Sequence, residues 1–344
     1  MGETLRHNPL NEVTGTVERV VGGDGSRAVH KVLRAPAPAA AGAVDADGPG
    51  PWAASADPRH WNYWRREVEV YRNEGLRDDL RRCGLDLAAC TVEERADGAV
   101  LRMEDVEGTP GTAFTLDDHV ALAAAVGRWQ AGGPLRAPWA SSGFLRAYSL
   151  SRPVPWHLLD DDAAWAHPLV ADLWPPGLRA GWARLVAHRS LLLDVMERLP
   201  RTRCHLDLWV ANAIRRPGGP FVLLDWAFTG DGAVGEDLGN YLPDAVFDLF
   251  WPAERLPELE ERCFAAHLDG LVDGGWAADA RDVRLGVVAA SVKYAWLLPL
   301  LLARAPDAEH RAYHRVVGPE HLYRERGLAL ARLVSWCDEA LALV

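Results

Sequence analysis

Three polar residues in the second half of the chain have the spacing that phosphoryl transfer requires. His205-Leu206-Asp207 is followed after four residues by Asn212, and Asp225 comes thirteen residues later at the end of an apolar run. Phosphoryl transfer from a nucleotide needs a carboxylate that orients the attacking hydroxyl and accepts its proton. It also needs hard oxygen ligands for Mg²⁺ on the triphosphate. The pattern predicts Asp207 as the catalytic base and Asn212 and Asp225 as metal ligands.

Each of these residues also has an ordinary structural interpretation. A loop Asp such as Asp207 is commonly a helix cap or a turn residue, and we expect His205 to pack and to hydrogen-bond the loop backbone. Asp225 follows the apolar run 221–224, where a carboxylate would need a strong partner. Asp237 is expected to brace the loop rather than to bind metal. The joint spacing, more than any one residue, favours the catalytic interpretation.

Lys31 is the predicted phosphate anchor. Of the 37 Lys and Arg residues only two are lysines. Because the chain otherwise uses Arg for positive charge, a position that keeps Lys is predicted to require a compact ammonium. Glu67 is its predicted partner, because it falls on the apolar face of the next helix whereas Glu69 falls on the charged face. The alternative is an unrelated surface Lys and a Glu at the edge of the apolar stripe.

Main-chain groups in two further segments are candidates for nucleotide contacts: Gly23, Gly25, Ser26, Glu104 and Val106. The first three lie in a glycine-rich turn before the Lys31 strand, where unshielded N–H groups could face phosphates. Such turns also occur in plain hairpins, and the P-loop pattern G-x-x-x-x-G-K-[ST] does not occur in the chain. The last two lie in the connector between two predicted lobes and could face an adenine edge.

The elements that must position these residues fall into two unlike parts. In residues 1–104 we predict a small β-rich, nucleotide-binding N-terminal lobe. Its predicted elements are one helix over 58–80 and strands over 13–21, 27–33, 90–94 and 99–103. Residues 35–58, rich in Ala, Pro, Gly, Asp and Ser, are predicted to be a mobile insertion.

Residues 105–344 are predicted to form a larger, mainly helical lobe that carries the catalytic and acceptor-binding functions. Predicted helices span 116–130, 163–173, 177–199, 259–271, 280–302 and 321–343. A hairpin over 211–215 and 221–225 interrupts them and carries Asn212 and Asp225. The overall prediction is an α+β fold.

Composition excludes several classes of protein. A hydrophobic share of 49% and 15 Trp exclude a disordered chain. The net charge is −11, and residues 105–344 contain 23 Lys+Arg against 31 Asp+Glu. Such a surface disfavours nucleic acid and anionic membranes and favours a cationic or neutral substrate. Glutamates in the segment 254–275 could line an acidic acceptor pocket, namely Glu258, Glu260 and Glu261.

Cysteine usage and the apolar segments indicate a cytoplasmic protein without a membrane span. The five cysteines are scattered and lack C-x-x-C spacing, which argues against a zinc site or a disulfide framework. The start of the chain lacks the apolar region of a signal peptide. The longest apolar stretch, 285–303, contains Lys293 and Pro299 and is predicted to be a buried core helix.

With these residues in place, the chain resembles the aminoglycoside phosphotransferase and choline kinase family, the small-molecule relatives of protein kinases. The segment 205–212 looks like that family's catalytic loop, Asp225-Trp226-Ala227 like its metal-binding segment, and 235–240 like the brace that follows. Lys31 and Glu67 fall where the family's ion pair is expected.

Two residues depart from the family pattern. Leu206 stands where many relatives have Gly, and Trp209 stands where protein kinases of the Ser/Thr type have Lys. The missing Lys argues against a protein kinase. The bulk of Trp209 affects the identity of the acceptor rather than the reaction.

The resemblance implies a bilobal protein-kinase-like fold that binds ATP, with GTP left open, and Mg²⁺. It implies transfer of the γ-phosphoryl group to a hydroxyl of a small molecule, first of all an aminoglycoside or another sugar or nucleoside antibiotic, as in resistance or self-resistance. One alternative is a kinase of a primary metabolite such as a sugar, an amino sugar or a choline-like alcohol. An alternative of another class is an inactive, kinase-like binding protein.

Overall fold

The computed structural model describes residues 2–5, 7, 8, 10–37, 52–277 and 279–344. The predicted insertion over 35–58 falls mainly on residues 38–51, which lie outside the described residues. Trp52 follows directly, is buried, and packs against the rings of Trp61, Tyr148 and Phe228. The chain therefore rejoins the fold at Trp52, against residues of the helical part.

The strands of the described residues are short, except in the first sheet. In chain order they are β1 (Gly2–Leu5), β2 (Thr14–Val21), β3 (Arg27–Arg34), β4 (Leu85–Leu87), β5 (Cys90–Arg95), β6 (Gly98–Glu104), β7 (Thr109–Pro110), β8 (Arg201–Cys204), β9 (Ala213–Arg215), β10 (Phe221–Leu223), β11 (Gly230–Ala233), β12 (Arg311–Ala312) and β13 (Arg315–Val316).

The helices lie almost entirely in the second part of the chain. In chain order they are α1 (Arg66–Tyr71), α2 (Glu74–Arg82), α3 (Leu116–Gln130), α4 (Phe144–Leu150), α5 (Asp162–Trp165), α6 (Pro168–Ala171), α7 (Leu178–Ala187), α8 (Arg189–Arg198), α9 (Glu236–Phe247), α10 (Leu256–Asp273), α11 (Ala280–Ala289), α12 (Leu297–Arg304) and α13 (Pro319–Leu343).

The N-terminal sheet has the strand order β1-β2-β3-β6-β5 among the described residues, with antiparallel neighbours. Its four predicted strands are confirmed to within one or two residues, because their apolar positions alternate. Strand β1 was not predicted. Lys31 lies on the central strand β3, opposite Val17 and Leu101 of the two neighbouring strands. Its side chain is buried.

The single helix predicted over 58–80 is wrong. The structure has α1 and α2, and residues 58–65 precede them as turns. The side chain of Asn73 accepts the N–H of Leu76 at 3.0 Å and starts α2 as its N-cap. Upstream, the guanidinium of Arg66 binds the carbonyls of Pro58 (3.2 Å) and His60 (2.6 Å), which holds the chain in turns there.

Two of the predicted helices of the second part are confirmed, and three others are broken. Helix α3 has the predicted bounds because Thr115 and Asp118 form a capping box at its start. Helix α13 starts two residues early. The predicted helix over 280–302 is interrupted by the 3₁₀ turn Ala290–Tyr294, and α12 starts so that Pro299 lies in its first turn, where a missing N–H does no harm.

The other two broken helices are shorter than predicted. Pro168 starts α6 at its first position, so 163–173 becomes two short helices. The region 177–199 is divided into α7 and α8 at His188, for which we have no physical account. Helix α10 is longer than predicted at both ends.

The small sheets bring the two parts of the chain together. One has the order β4-β10-β9-β7, in which β4 pairs in parallel with the distant strand β10, Leu85 lying opposite Phe221. Strands β8 and β11 form a separate antiparallel pair. The predicted hairpin is confirmed as β9 and β10, but its strands are shorter, so Asn212 and Asp225 lie just outside them.

One helical stretch among the described residues, Ala280–Arg304, is long and apolar enough to span a membrane by length and composition. It comprises α11, the 3₁₀ turn and α12, and most of it is buried inside the molecule. The buried core position predicted for 285–303 is confirmed.

Candidate active site

The loop 205–212, called the catalytic loop below, is anchored by the carboxylate of Asp237 at the start of α9. That carboxylate accepts the backbone N–H groups of His205 at 2.8 Å and Leu206 at 2.7 Å, and the side-chain amide of Gln130 at 2.8 Å. Leu206 has a φ of 66°, a left-handed conformation that disfavours a β-carbon. Asp237 thus holds the loop in a strained shape, and it braces the loop as expected.

His205 connects the catalytic loop to the segment that carries Asp225. Its Nε2 lies 3.0 Å from the carbonyl oxygen of Leu224, and its ring centre lies 4.5 Å from that of Trp226. Burial lowers the pKa of His205 to about 4, so the imidazole is neutral at pH 7. The residue packs and hydrogen-bonds the backbone as predicted.

Asp207 and Asn212 contact each other within the catalytic loop. The amide Nδ2 of Asn212 donates to the carbonyl oxygen of Asp207 at 3.0 Å and lies 3.4 Å from its Oδ2. Burial, together with the negative charge of Asp225, raises the pKa of Asp207 to about 7. A carboxylate with such a pKa suits a general base near neutral pH.

Lys31, Glu67 and Asp225 meet at one ammonium group. Nζ of Lys31 lies 2.6 Å from Oε2 of Glu67 and 2.7 Å from Oδ1 of Asp225. Burial opposes the charge of Lys31, but the two carboxylates raise its pKa overall. Burial likewise opposes the charge of Asp225, whose pKa the Lys31 ammonium nevertheless lowers. The partner of Lys31 is Glu67, whereas Glu69 pairs with Arg65 at 2.8 Å.

Asn212 and Asp225 are suited to hold a metal ion together with phosphates. The N–H of Leu224 donates to the carbonyl of Asn212 at 2.8 Å. Because Asp225 follows Leu224, the two predicted metal ligands lie close together at the end of the hairpin. The Asp225 side chain is 42% exposed, and Lys31 occupies only Oδ1. The described residues contain no group of three or more His, Cys, Asp or Glu able to hold a metal. Mg²⁺ bound to a nucleotide takes most of its ligands from phosphate and water, so two hard oxygen ligands from the protein are sufficient for it.

The glycine-rich turn between β2 and β3 is largely bonded to itself. The N–H of Gly25 donates to the carbonyl of Gly22 at 3.0 Å, and the N–H of Ser26 donates to Oδ1 of Asp24 at 3.0 Å. Of the three predicted phosphate contacts in this turn, Gly25 and Ser26 would therefore have to break a bond to bind phosphate, while Gly23 would not. The role of the turn stays a prediction.

The connector between the lobes offers fewer main-chain groups than predicted. The N–H of Glu104 already donates to the carbonyl of Ala89 at 2.8 Å, so only its carbonyl oxygen could face an adenine edge. The Glu104 carboxylate accepts two hydrogen bonds from Arg216, each of 2.7 Å. Val106 follows β6 and is partly buried. Both contacts with adenine stay predictions.

The prediction that Glu260 lines an acidic acceptor pocket in the segment 254–275 is wrong. Its carboxylate is buried and accepts hydrogen bonds from Arg332 at 2.8 Å and from Trp336 at 2.8 Å, while Arg284 lies at 2.7 Å. Glu260 is thus neutralised within the core, and Glu258 pairs with Arg255 on the surface.

Two charged residues near the catalytic loop were missed by the sequence interpretation. Asp244 on α9 has its pKa raised to about 6 by burial. Lys293 lies in the turn Ala290–Tyr294 and is buried. The sequence offered a clue to Lys293, because it is the only lysine besides Lys31. No residue pattern in the sequence singles out Asp244.

Comparison with known proteins identifies the fold. No protein-family model matches the chain, and no curated protein sequence matches it. The chain is similar to the structure of amicoumacin kinase hAmiN in complex with AMP-PNP, Ca²⁺ and Ami, with 14% identity, a TM-score of 0.52, and coverage of 97% of this chain and 88% of that one.

It is also similar to an aminoglycoside phosphotransferase from Alicyclobacillus acidocaldarius. The identity is 15% and the TM-score 0.52, with 98% of this chain and 94% of that chain covered. The chain therefore has the protein-kinase-like fold of these small-molecule kinases. The predicted α+β, bilobal fold class is confirmed, and the resemblance to the aminoglycoside phosphotransferase and choline kinase family is confirmed at the level of the fold.

Proposed function

We propose that this protein is an ATP-dependent phosphotransferase that moves the γ-phosphoryl group to a hydroxyl of a small molecule. The observation that carries the proposal is the contact of Lys31 with both Glu67 and Asp225. Asn212 bonds Asp207 through its side chain and accepts the N–H of Leu224, the residue before Asp225, through its carbonyl. These five side chains come from the N-terminal sheet, α1, the catalytic loop and the segment after β10. A phosphate anchor, two metal ligands and a base at one cleft are the parts that phosphoryl transfer needs.

Each residue has a role that follows from its position. Lys31 would bind the phosphates, and Glu67 would hold its ammonium in place. Asn212 and Asp225 would hold Mg²⁺, which supplies charge neutralisation on the triphosphate when it is bound. Asp207 would orient the acceptor hydroxyl and take up its proton as the new bond to phosphorus forms.

The catalytic effect expected of this arrangement is mainly electrostatic and geometric. The protein has little covalent chemistry to perform, because the attacking oxygen needs only to be aligned with the γ-phosphorus and relieved of its proton. The strained catalytic loop, fixed by Asp237, supports such alignment because a pinned carboxylate needs no reorganisation at the moment of reaction.

An aromatic surface beside the base supports binding of a small organic acceptor. Trp209, two residues after Asp207, lies with its ring centre 5.5 Å from that of Tyr313, in the turn between β12 and β13. The ring of Phe250 lies 5.3 Å from Tyr313, and Asp248 accepts the N–H of Tyr313 at 2.9 Å. Partly exposed rings of this kind can pack against the apolar face of a sugar or nucleoside.

The acceptor that we favour is an aminoglycoside or another sugar or nucleoside antibiotic. The names of the two similar structures, an amicoumacin kinase and an aminoglycoside phosphotransferase, support this class. Asp248, which accepts the N–H of Tyr313 beside the aromatic surface, favours an acceptor that is neutral or cationic.

The test is Mg²⁺-dependent release of ADP from ATP across a panel of aminoglycosides, nucleoside antibiotics, amino sugars and choline-like alcohols. We expect one acceptor class to stimulate turnover in the wild-type protein and not in the Asp207→Ala variant. Stimulation by a sugar or choline-like alcohol alone would instead assign a primary-metabolite kinase. Failure to bind ATP with Mg²⁺ present would contradict the enzyme and favour the inactive binding protein.

A further inference from the structure

Lys293 is buried, and no carboxylate of the described residues contacts its ammonium directly. The residue is 4% exposed, and its ammonium lies over the rings of Tyr148, Tyr294 and Phe144 at 5.3, 5.9 and 6.0 Å from their centres. Within the described part of the chain, no group accepts a hydrogen bond from Nζ and no carboxylate lies within 4.0 Å of it. Burial opposes the charge, which carboxylates at longer range balance, Asp244 first among them, so the ammonium keeps donors that a ligand could use.

Three other buried charged side chains are bonded directly by groups of the chain itself. Lys31 contacts two carboxylates, and Glu260 contacts two guanidinium groups and an indole N–H. Arg66 donates five hydrogen bonds to backbone carbonyls. Lys293 has no such direct bond among the described residues, so its ammonium can donate hydrogen bonds to a ligand that enters the site.

The surroundings of Lys293 belong to the candidate active site. Phe144 packs in one cluster with Leu206, the residue before Asp207, and with Ala227, which follows the predicted metal-binding Asp225. Tyr148 packs against the same cluster. The charges of Lys31 and Lys293 both act to lower the pKa of Asp207, against the dominant effect of burial. The two lysines of the chain therefore both act at the catalytic loop.

We propose that Lys293 is a catalytic residue whose ammonium donates hydrogen bonds to the phosphoryl group during its transfer. The inference rests on the proposed phosphotransferase function. In the reaction, the acceptor oxygen forms a bond to the γ-phosphorus, the bond from that phosphorus to the leaving oxygen of ADP breaks, and the hydroxyl proton goes to Asp207. Lys293 remains protonated throughout and neutralises charge on a non-bridging oxygen of the transferred group.

The alternative is a structural lysine that only packs on aromatic rings, since such cation–π contacts stabilise folded proteins. The two roles predict opposite effects on stability. Lys293→Met keeps the length of the side chain and removes a buried charge that no carboxylate of the described residues contacts directly. If the ammonium serves catalysis, the variant should melt at the same temperature as the wild type or higher. If the ammonium serves packing, the variant should melt at a lower temperature.

The test compares the wild type, Lys293→Met and Lys293→Arg by nucleotide binding, turnover and melting. For Lys293→Met we expect kcat to fall about 100-fold, with the Kd of ATP·Mg²⁺ unchanged within twofold and the melting temperature not lowered. Lys293→Arg should recover part of kcat because it keeps the charge. Arg152→Met is the matched control, because Arg152 also stacks on Tyr148, at 5.1 Å, and is expected to keep kcat within threefold.

Three results would overturn the inference: a kcat of Lys293→Met within threefold of the wild type, a melting temperature that falls, or an equal loss of kcat in Arg152→Met. A different result would show that the proposed phosphotransferase function itself is wrong. In that case the wild type itself would show no acceptor-stimulated release of ADP, before any variant is compared.

Discussion

Lys31 and Asp225 are 194 residues apart in the sequence, and Nζ of the one lies 2.7 Å from Oδ1 of the other. The contact connects the N-terminal sheet to the segment after β10 across the proposed nucleotide cleft. Glu67 holds the same ammonium at 2.6 Å from the other side. A nucleotide with Mg²⁺ would place phosphate oxygens near Lys31 and a cation near Asp225, so each residue of the pair would exchange its partner for a ligand.

The first prediction separates the base from the metal ligand. Asp207→Ala and Asp225→Ala should each lower acceptor-stimulated turnover by about 10³-fold or more, because one loses the proton acceptor and the other a metal ligand. Only Asp225→Ala should also weaken Mg²⁺-dependent binding of ATP. Measurement of ADP release and of nucleotide Kd checks both, with circular dichroism to show that the fold is kept. Near-normal turnover by either variant would contradict the assignment.

The second prediction concerns the buried ion pair. Glu67→Gln leaves Lys31 with Asp225 alone, in a site where the Lys31 and Glu67 side chains are 7% and 2% exposed. The free energy of unfolding should fall by roughly 2 kcal/mol, because the buried ammonium loses one charge-assisted hydrogen bond and keeps the other. The Kd for ATP should rise, because the ammonium is no longer held between the two carboxylates.

Glu69→Gln is the matched control for that experiment. Glu69 lies two residues away on the same helix and pairs with Arg65 near the surface, so urea unfolding and nucleotide titration should give wild-type values. Equal effects of the two substitutions would show that Glu67 has no special relation to the nucleotide site.

The sequence was sufficient for the parts of the site that depend on local pattern. Asp207, Asn212 and Asp225 lie on one short loop and hairpin, so their spacing alone indicated that they meet. Glu67 could be preferred to Glu69 because the two fall on opposite faces of a helix, and the structure shows Glu67 beside Lys31.

The parts that depend on distant contacts could not be predicted. The helix expected over 58–80 fails at its start because Arg66 binds carbonyls of the preceding turn and also that of Ala227, 161 residues away. Strand β4 has three residues, too few for alternation to show, and its pairing with β10 is long-range. The surroundings of Lys293 come from α4 and the catalytic loop, so no local pattern revealed them.

The third prediction tests the brace of the catalytic loop. Asp237→Ala removes the acceptor of three hydrogen bonds, two of them from the backbone of His205 and Leu206. The strained conformation of Leu206 should then relax, and Asp207 should lose its alignment. We expect kcat to fall by about 10², with the Kd for ATP little changed, measured in the ADP-release assay. An unchanged kcat would show that the loop keeps its shape without the brace.

The fourth prediction is a pH dependence of stability that originates in Glu236. Its side chain is buried and accepts the N–H of Ala233 at 2.9 Å, and burial raises its pKa from 4.5 to about 7. The folded state therefore binds the Glu236 proton more tightly than the unfolded state does. Its contribution to stability is fully present below about pH 4.5, is lost as the pH rises towards 7, and stays lost above that.

Glu236→Gln is uncharged at every pH and should remove this contribution to the pH dependence. The difference in free energy of unfolding between the variant and the wild type should change by about 3 kcal/mol in favour of the variant between pH 4.5 and pH 8. Urea unfolding at several pH values measures it, and the titration of groups that do not interact with Glu236 cancels in the difference. Glu258→Gln, which removes a carboxylate on the exposed side of α10, is the control and should not reproduce the change of about 3 kcal/mol. A pH-independent difference for Glu236→Gln would mean that Glu236 titrates alike in the folded and unfolded states.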